Sequence, residues 1–203
     1  MSQTLEFIFD FASPNAYLSH KVLPALAQRT GAELVYTPCL LGGIFKATGN
    51  QAPMLAFAGV PSKLQYGLLE MRRFVARHQL PFQMNPHFPL NTLLLMRGAV
   101  AAQELGCFED YVDTMFHFMW EAPRKMDDPQ VWQQSLAERG LPAEQLAAAV
   151  QTDSVKQTLV TNTSSAVERG AFGIPTFFVG NEMWFGKEYL NDVEAYLTQG
   201  ARQ

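Results

Sequence analysis

The sequence predicts an α/β fold whose sheet is assembled from the two ends of the chain, and three observations carry that prediction. Leu5, Phe7, Phe9 and Phe11 alternate with Glu6, Ile8 and Asp10, a period of two rich in aromatics that marks a strand with one well-buried face. Near the other end, PTFFVG and EMWFG flank Gly180-Asn181, a two-residue hairpin signal. Between these stretches, after one further strand pattern, the periodicities are helical.

Taken in order, the first strand runs to Ala12, where Ser13-Pro14 supplies a helix start: serine is a favoured N-cap and proline suits the first helical turn. Leu18, Val22 and Leu26 continue the helix, and Pro24 inside it should kink it or end it early. Gly31 closes the helix and ELVYTP (33–38) is a second strand, giving a βαβ unit with parallel strands. Residues 39–61, punctuated by glycines, read as a long irregular loop. Pro61-Ser62 opens a helix with Leu64, Leu68, Met71 and Val75 on one face, Pro81 stops it, and 82–90 is a loop. Helices follow at 91–105, 108–120, 129–139, 142–150 and 153–169, the last ended by Gly170, and a final helix begins at Lys187.

In 203 residues, 48% hydrophobic content is enough to fill a core, and 15 basic against 19 acidic groups leave a net charge of -4 that offers nucleic acid no basic face. The chain has no apolar run of membrane-spanning length. It opens without a basic leader or cleavage site, so a cytoplasmic protein is expected. Cys39 and Cys107 form no CxxC and are expected as reduced, partly buried thiols; His20, His78, His87 and His117 have no partners at metal-ligand spacing.

Chemistry concentrates where the first strand passes into the first helix, because backbone donors and the positive helix end favour an anion there. Ser13 occupies that place, and its hydroxyl either caps its own helix or donates to a bound anion. FDFASPNAYL (9–18), GAFGIPTFFVG (170–180), WFGKEYL (184–190) and LLGGIFKATGNQAP (40–53) together resemble the 2-hydroxychromene-2-carboxylate isomerases, which are similar to kappa-class glutathione transferases and DsbA. The order of elements then implies a thioredoxin-like fold with a large all-helical insertion, with 1–40 and 151–203 as the thioredoxin-like domain and 41–150 as the insertion.

That resemblance implies glutathione as cofactor, with Ser13 in place of the first cysteine of a CxxC and assisting the bound thiol. It implies a cis bond at Ile174-Pro175 facing Ser13, with the Ile174 backbone pairing the cysteinyl part of glutathione, and it places Phe185, Gly186, Lys187 and Glu188 at the glutamyl end. Lys187-Glu188 departs from close relatives, which tend to carry a small or amide residue followed by an aspartate; a solvated helix start is the other reading of these two side chains. Lys46, Asn50 and Lys63 would meet an anionic or carboxylate-bearing aromatic substrate, with Asn85 and Phe88 as further substrate contacts. The implied activity is interconversion of 2-hydroxychromene-2-carboxylate and trans-o-hydroxybenzylidenepyruvate, or turnover of a related substrate of aromatic catabolism, by a cytoplasmic homodimer. A kappa-class-like transferase and a non-catalytic glutathione-binding module stand as alternatives. The missing CxxC excludes DsbA-type disulfide exchange.

Overall fold

The aromatic alternation at the start of the chain becomes β1 (Thr4–Phe9) in the computed structural model, which describes residues 3–200. The sheet has the order β2-β1-β3-β4, with β2 at Glu33–Pro38, β3 at Thr176–Val179 and β4 at Glu182–Phe185. β1 runs parallel to β2, with Phe7 opposite Tyr36, and antiparallel to β3, with Phe7 opposite Phe177. Val179 pairs with Glu182 across the expected two-residue turn, where Gly180 takes a φ of 59°.

A strand between two partners, covered by helices, has no solvent face. Phe7, Ile8 and Phe9 are all buried, so the single buried face expected of β1 is two. Phe7 stacks on Phe177 at 5.5 Å and meets Tyr36 edge-on at 5.1 Å. β1 also ends at Phe9 rather than Ala12, because Asp10 leaves the ladder and turns the chain: its Oδ1 accepts from Ala12 N at 2.9 Å and its carbonyl accepts from Ser13 N at 3.1 Å.

α1 (Pro14–Thr30) begins at Ser13 and closes at Gly31, whose φ of 69° requires glycine's freedom. It passes through Pro24 without ending. Pro24 lies on the exposed side of the helix, and the carbonyl it leaves without a donor is that of His20, one turn earlier. The stretch expected to be an irregular loop holds two helices, α2 (Leu41–Thr48) and α3 (Pro53–Ala56). Its glycines serve proximity as well as turning: a Cβ at Gly43 would come within 3.1 Å of Thr163 Cγ2 on α9 (Asp153–Glu168).

α4 (Pro61–His78) leans on α1 and buries Met71 and Phe74, while Leu68 of the expected stripe stays 46% exposed. α5 (Leu93–Glu104), α6 (Phe108–Trp120), α7 (Pro129–Glu138) and α8 (Ala143–Ala149) complete the helices between β2 and α9, with α5 packed on both α6 and α9. At Gly98 the approach of α5 to α6 is so close that a Cβ would fall 2.0 Å from the Tyr111 hydroxyl. That hydroxyl is fixed by donating to Leu95 O at 2.9 Å and accepting from Trp132 Nε1 at 3.0 Å. After β4 a 3-10 turn (Lys187–Tyr189) leads into α10 (Leu190–Gly200), which packs on α1. Among the described residues no helix is long and apolar enough to cross a membrane.

Candidate active site at the start of α1

Ser13 is 5% exposed and its hydroxyl makes two bonds. The oxygen accepts from Ala16 N at 3.1 Å, capping α1, and the proton is donated to Ile174 O at 3.1 Å, across 161 residues of sequence. Capping and reaching for a partner are therefore both realised. The Ile174–Pro175 peptide is cis, as the resemblance implied. It does not start an edge strand, because β3 lies between β1 and β4. The Pro175 carbonyl accepts from Gly186 N at 2.9 Å, which joins the end of β4 to the same segment.

Phe185 lies over this loop. Its ring is 4.5 Å from that of Phe172, and a Cβ at Gly173 would meet its Cε2 at 2.7 Å, so the glycine is what lets the ring settle there. Asn50 closes the other side by donating from Nδ2 to Phe172 O at 2.8 Å. Ser13, Ile174, Pro175, Phe185, Gly186 and Asn50 are thus brought into one connected hydrogen-bonded or packed set.

Lys187 and Glu188 behave otherwise. The Lys187 side chain has no exposure; its ammonium is paired with Glu70 of α4 and, at 2.5 Å, with Glu188 Oε1, and it lies 5.2 Å from the centre of the Phe74 ring. A solvated helix start does not describe this lysine, and its charge is spent inside the protein. Burial pushes the Glu188 carboxyl up, but the hydrogen bond and charge of Lys187 outweigh it and hold the group below the usual carboxylate range. Glu70 carried no sequence signal: an acidic residue on an amphipathic helix resembles any other solvated charge until the fold places Lys187 beside it.

The remaining candidates divide. Lys46 is exposed near the C-terminal end of α2 and Lys63 is exposed with its ammonium 3.6 Å from the Phe57 ring centre, so both cations face solvent. Asn85 is 2% exposed and its amide is committed to main chain, donating to Met119 O and Arg124 O and accepting from His87 N. The structure thus makes Asn85 a clamp of its own loop, with no donor left for a substrate. Phe88 packs on Trp120 at 5.7 Å, and Trp120 Nε1 donates to Phe11 O at 2.9 Å, so Phe88 supports the turn before Ser13 from behind.

Cys39 is fully buried and Cys107 partly so, both free; burial pushes both thiols up, which suits inert packing. Asp10 escaped the sequence reading because alternation assigned it to an exposed strand position. It is wholly buried directly before the Ser13 turn, and burial pushes its carboxyl up against opposing hydrogen bonds from Ala12, Thr92 and Leu41. Its only sequence signal was an acid inside a run of aromatics.

Comparison with known proteins agrees with this architecture. The chain is 28% identical over 201 residues to 2-hydroxychromene-2-carboxylate isomerase of Sphingobium xenophagum, covering 97% of this chain and 99% of that protein. It is also 28% identical over 209 residues to glutathione S-transferase kappa 1 of Rattus norvegicus, covering 96% and 90%. A solved structure of 2-hydroxychromene-2-carboxylate isomerase superposes with a TM-score of 0.85 at 25% identity, covering 98% of this chain and 97% of that one. The model of the DSBA-like thioredoxin domain matches residues 4–198, nearly the whole described chain. With the βαβ start, the hairpin and the Ser13–Ile174 contact in place, the chain belongs to the DSBA-like thioredoxin domain family.

Proposed function

We propose that this protein is a glutathione-dependent isomerase of 2-hydroxychromene-2-carboxylate, or of a related aromatic catabolic substrate, and that Ser13 positions and ionises the reacting thiol. The observation that carries the reading is the Ser13 hydroxyl, held at the start of α1 with its proton directed at Ile174 O, 3.1 Å away. The donor set fits the cofactor's chemistry: a hydroxyl at a positive helix end suits a thiolate, and the main chain beside a cis proline offers the pairing edge that an extended peptide takes.

Glutathione, held by Ser13 and the main chain at Ile174 and Gly186, would supply a nucleophilic sulfur for reversible addition to the conjugated substrate, the chemistry that lets a double bond rotate. The protein's part is to ionise and hold. Ser13 turns its proton from Ile174 O to the sulfur, and Ile174 O is then free to accept from the peptide. A charge-assisted hydrogen bond contributes about 1.5–3 kcal/mol and the helix terminus about 0.3–1. At about 1.36 kcal/mol per pH unit, the thiol, whose ordinary pKa is about 8.5, falls by about one to three. The glutamyl end would rest on the main chain around Gly186, with the Lys187 side chain committed to Glu70 and Glu188. Lys46, Lys63 and Asn50 would face the substrate carboxylate and the developing enolate charge. A cytoplasmic homodimer belongs to the same reading.

The assay is absorbance of 2-hydroxychromene-2-carboxylate with and without glutathione. Fast glutathione-dependent interconversion supports the reading, and conversion indifferent to glutathione refutes it. The kappa-class transferase alternative is favoured by an equal 28% identity to the rat protein. Product analysis separates the two: a transferase leaves glutathione attached to an electrophile, and an isomerase returns it.

A further inference from the structure

Three helix starts converge on Asp10. Its buried carboxylate accepts at Oδ1 from Ala12 N (2.9 Å) and Thr92 Oγ1 (2.7 Å), and at Oδ2 from Leu41 N (2.8 Å). Ala12 lies in the turn that delivers Ser13 to α1, Leu41 is the first residue of α2, and Thr92 immediately precedes α5. Neither of the last two helices is capped by the side chain at its own N-cap position. Leu40 has no side-chain oxygen to offer α2, and at α5 Thr92 gives its hydroxyl to Asp10 while Asn91 Oδ1 accepts from Leu93 N at 3.0 Å. One carboxylate, from the turn before α1, ties the starts of α2 and α5 to its own.

Burying a carboxylate is unfavourable by several kcal/mol unless its oxygens are hydrogen-bonded, and an apolar residue would fill the same space more simply if packing were the only requirement. An apolar residue could not fix three backbone segments relative to one another. The bonds also close a circuit around the candidate site. From Leu41 the chain runs through α2 to Asn50, which donates to Phe172 O; two residues on, Ile174 O accepts from Ser13; and Ser13 N donates back to Asp10 O.

We infer that Asp10 is a positioning residue: it fixes α2, with Lys46 and Asn50, in register with Ser13, so that the organic-substrate half and the thiol half of the site share one geometry. The clamp itself stands on these bonds; its catalytic consequence rests on the glutathione-dependent reading above.

Two variants test it. Asp10→Asn puts an amide donor where acceptors are needed. Of the carboxylate's three bonds Leu41→Pro removes only that of α2, because proline is tolerated at the first helical position and Leu40 already has the extended backbone that must precede it (φ -88°, ψ 111°); Leu41→Ala, which keeps the bond, controls for the packing of the lost side chain. In the ligand-free protein, hydrogen exchange should rise about tenfold or more at residues 11–16 and 41–48 together in Asp10→Asn, and at 41–48 in Leu41→Pro, with residues 129–149 unchanged in both. In turnover, Leu41→Pro should raise KM for the organic substrate about tenfold while glutathione affinity holds within about threefold. If Asp10→Asn does not fold, Leu41→Pro carries the test. Exchange that rises uniformly, or a Leu41→Pro variant with lowered thermal stability and an unchanged KM, overturns the inference. Wild-type protein that binds no glutathione overturns the proposed function instead, and the exchange result still decides the clamp.

Discussion

The two sides of the candidate site are held by different physics. On the Ser13 side the contacts run through main chain: a helix N-cap, a carbonyl before a cis proline, and backbone amides gathered on one buried carboxylate. On the Lys187 side they run through charged side chains, an ammonium without exposure between Glu70 and Glu188. Main-chain contacts follow from where the turns fall, and turns leave strong local signals in Ser-Pro, Ile-Pro and Gly-Asn. A side-chain ion pair depends on which helix arrives opposite, and that is decided only when the fold is complete.

The sharpest way to break this contrast is Ser13→Ala. Losing the hydroxyl should lower turnover about tenfold to a hundredfold, the equivalent of one charge-assisted hydrogen bond, while calorimetric affinity for glutathione changes by less than about threefold because the main-chain contacts stay. Wild-type turnover in the variant would remove Ser13 from the mechanism. Lys187→Met should likewise leave affinity within about threefold, because the ammonium is already paired inside the protein with Glu70 and Glu188. A large loss of affinity would make the lysine a ligand.

The sides should also separate in acid. Glu188 is held below the usual range, so the stability of its pair with Lys187 is fully present above the ordinary glutamate pKa of about 4.3 and is lost as pH falls through the lower folded value. Asp10 is pushed up, so its contribution has the opposite sign, declining as pH rises through the raised value. Followed from about pH 5 to pH 3, protection against hydrogen exchange, relative to the unstructured rate at each pH, should therefore fall at residues 187–200 before residues 10–16. Simultaneous loosening would show that the ion pair contributes nothing of its own. The smallest expected effects are in Cys39→Ser and Cys107→Ser, each keeping turnover within about twofold, since both thiols lie outside the chemistry. Loss of activity in one folded variant would relocate the nucleophile.

Much of the fold was legible because its signals are local. The aromatic alternation as far as Phe9, the Gly180-Asn181 turn and the helix start at Ser13-Pro14 fall where the patterns put them. α2 was not legible, because Gly43 reads as a breaker until Thr163 of α9 is seen against it. Pro24 read as a kink or an early end, and α1 runs on through it to Thr30 with the proline on its exposed side. In the site, Ser13 was visible as a helix start, and Ile174, Pro175 and Asn50 were visible through the resemblance of the motifs around them. Asp10, Thr92 and Glu70 were not, since each works through partners 30 or more residues away in sequence. Asn85 was a substrate contact only by resemblance, and its burial and main-chain bonds show its amide committed within the protein.

The most direct measurement is a pH titration of protein-bound glutathione, followed by ultraviolet thiolate absorption, in the wild type and in Ser13→Ala. The account predicts a bound thiol pKa about one to three below the free value of about 8.5 in the wild type, returning most of the way to that value in the variant. A thiol that titrates in the wild type as it does in water, or one that stays depressed without the Ser13 hydroxyl, would contradict it.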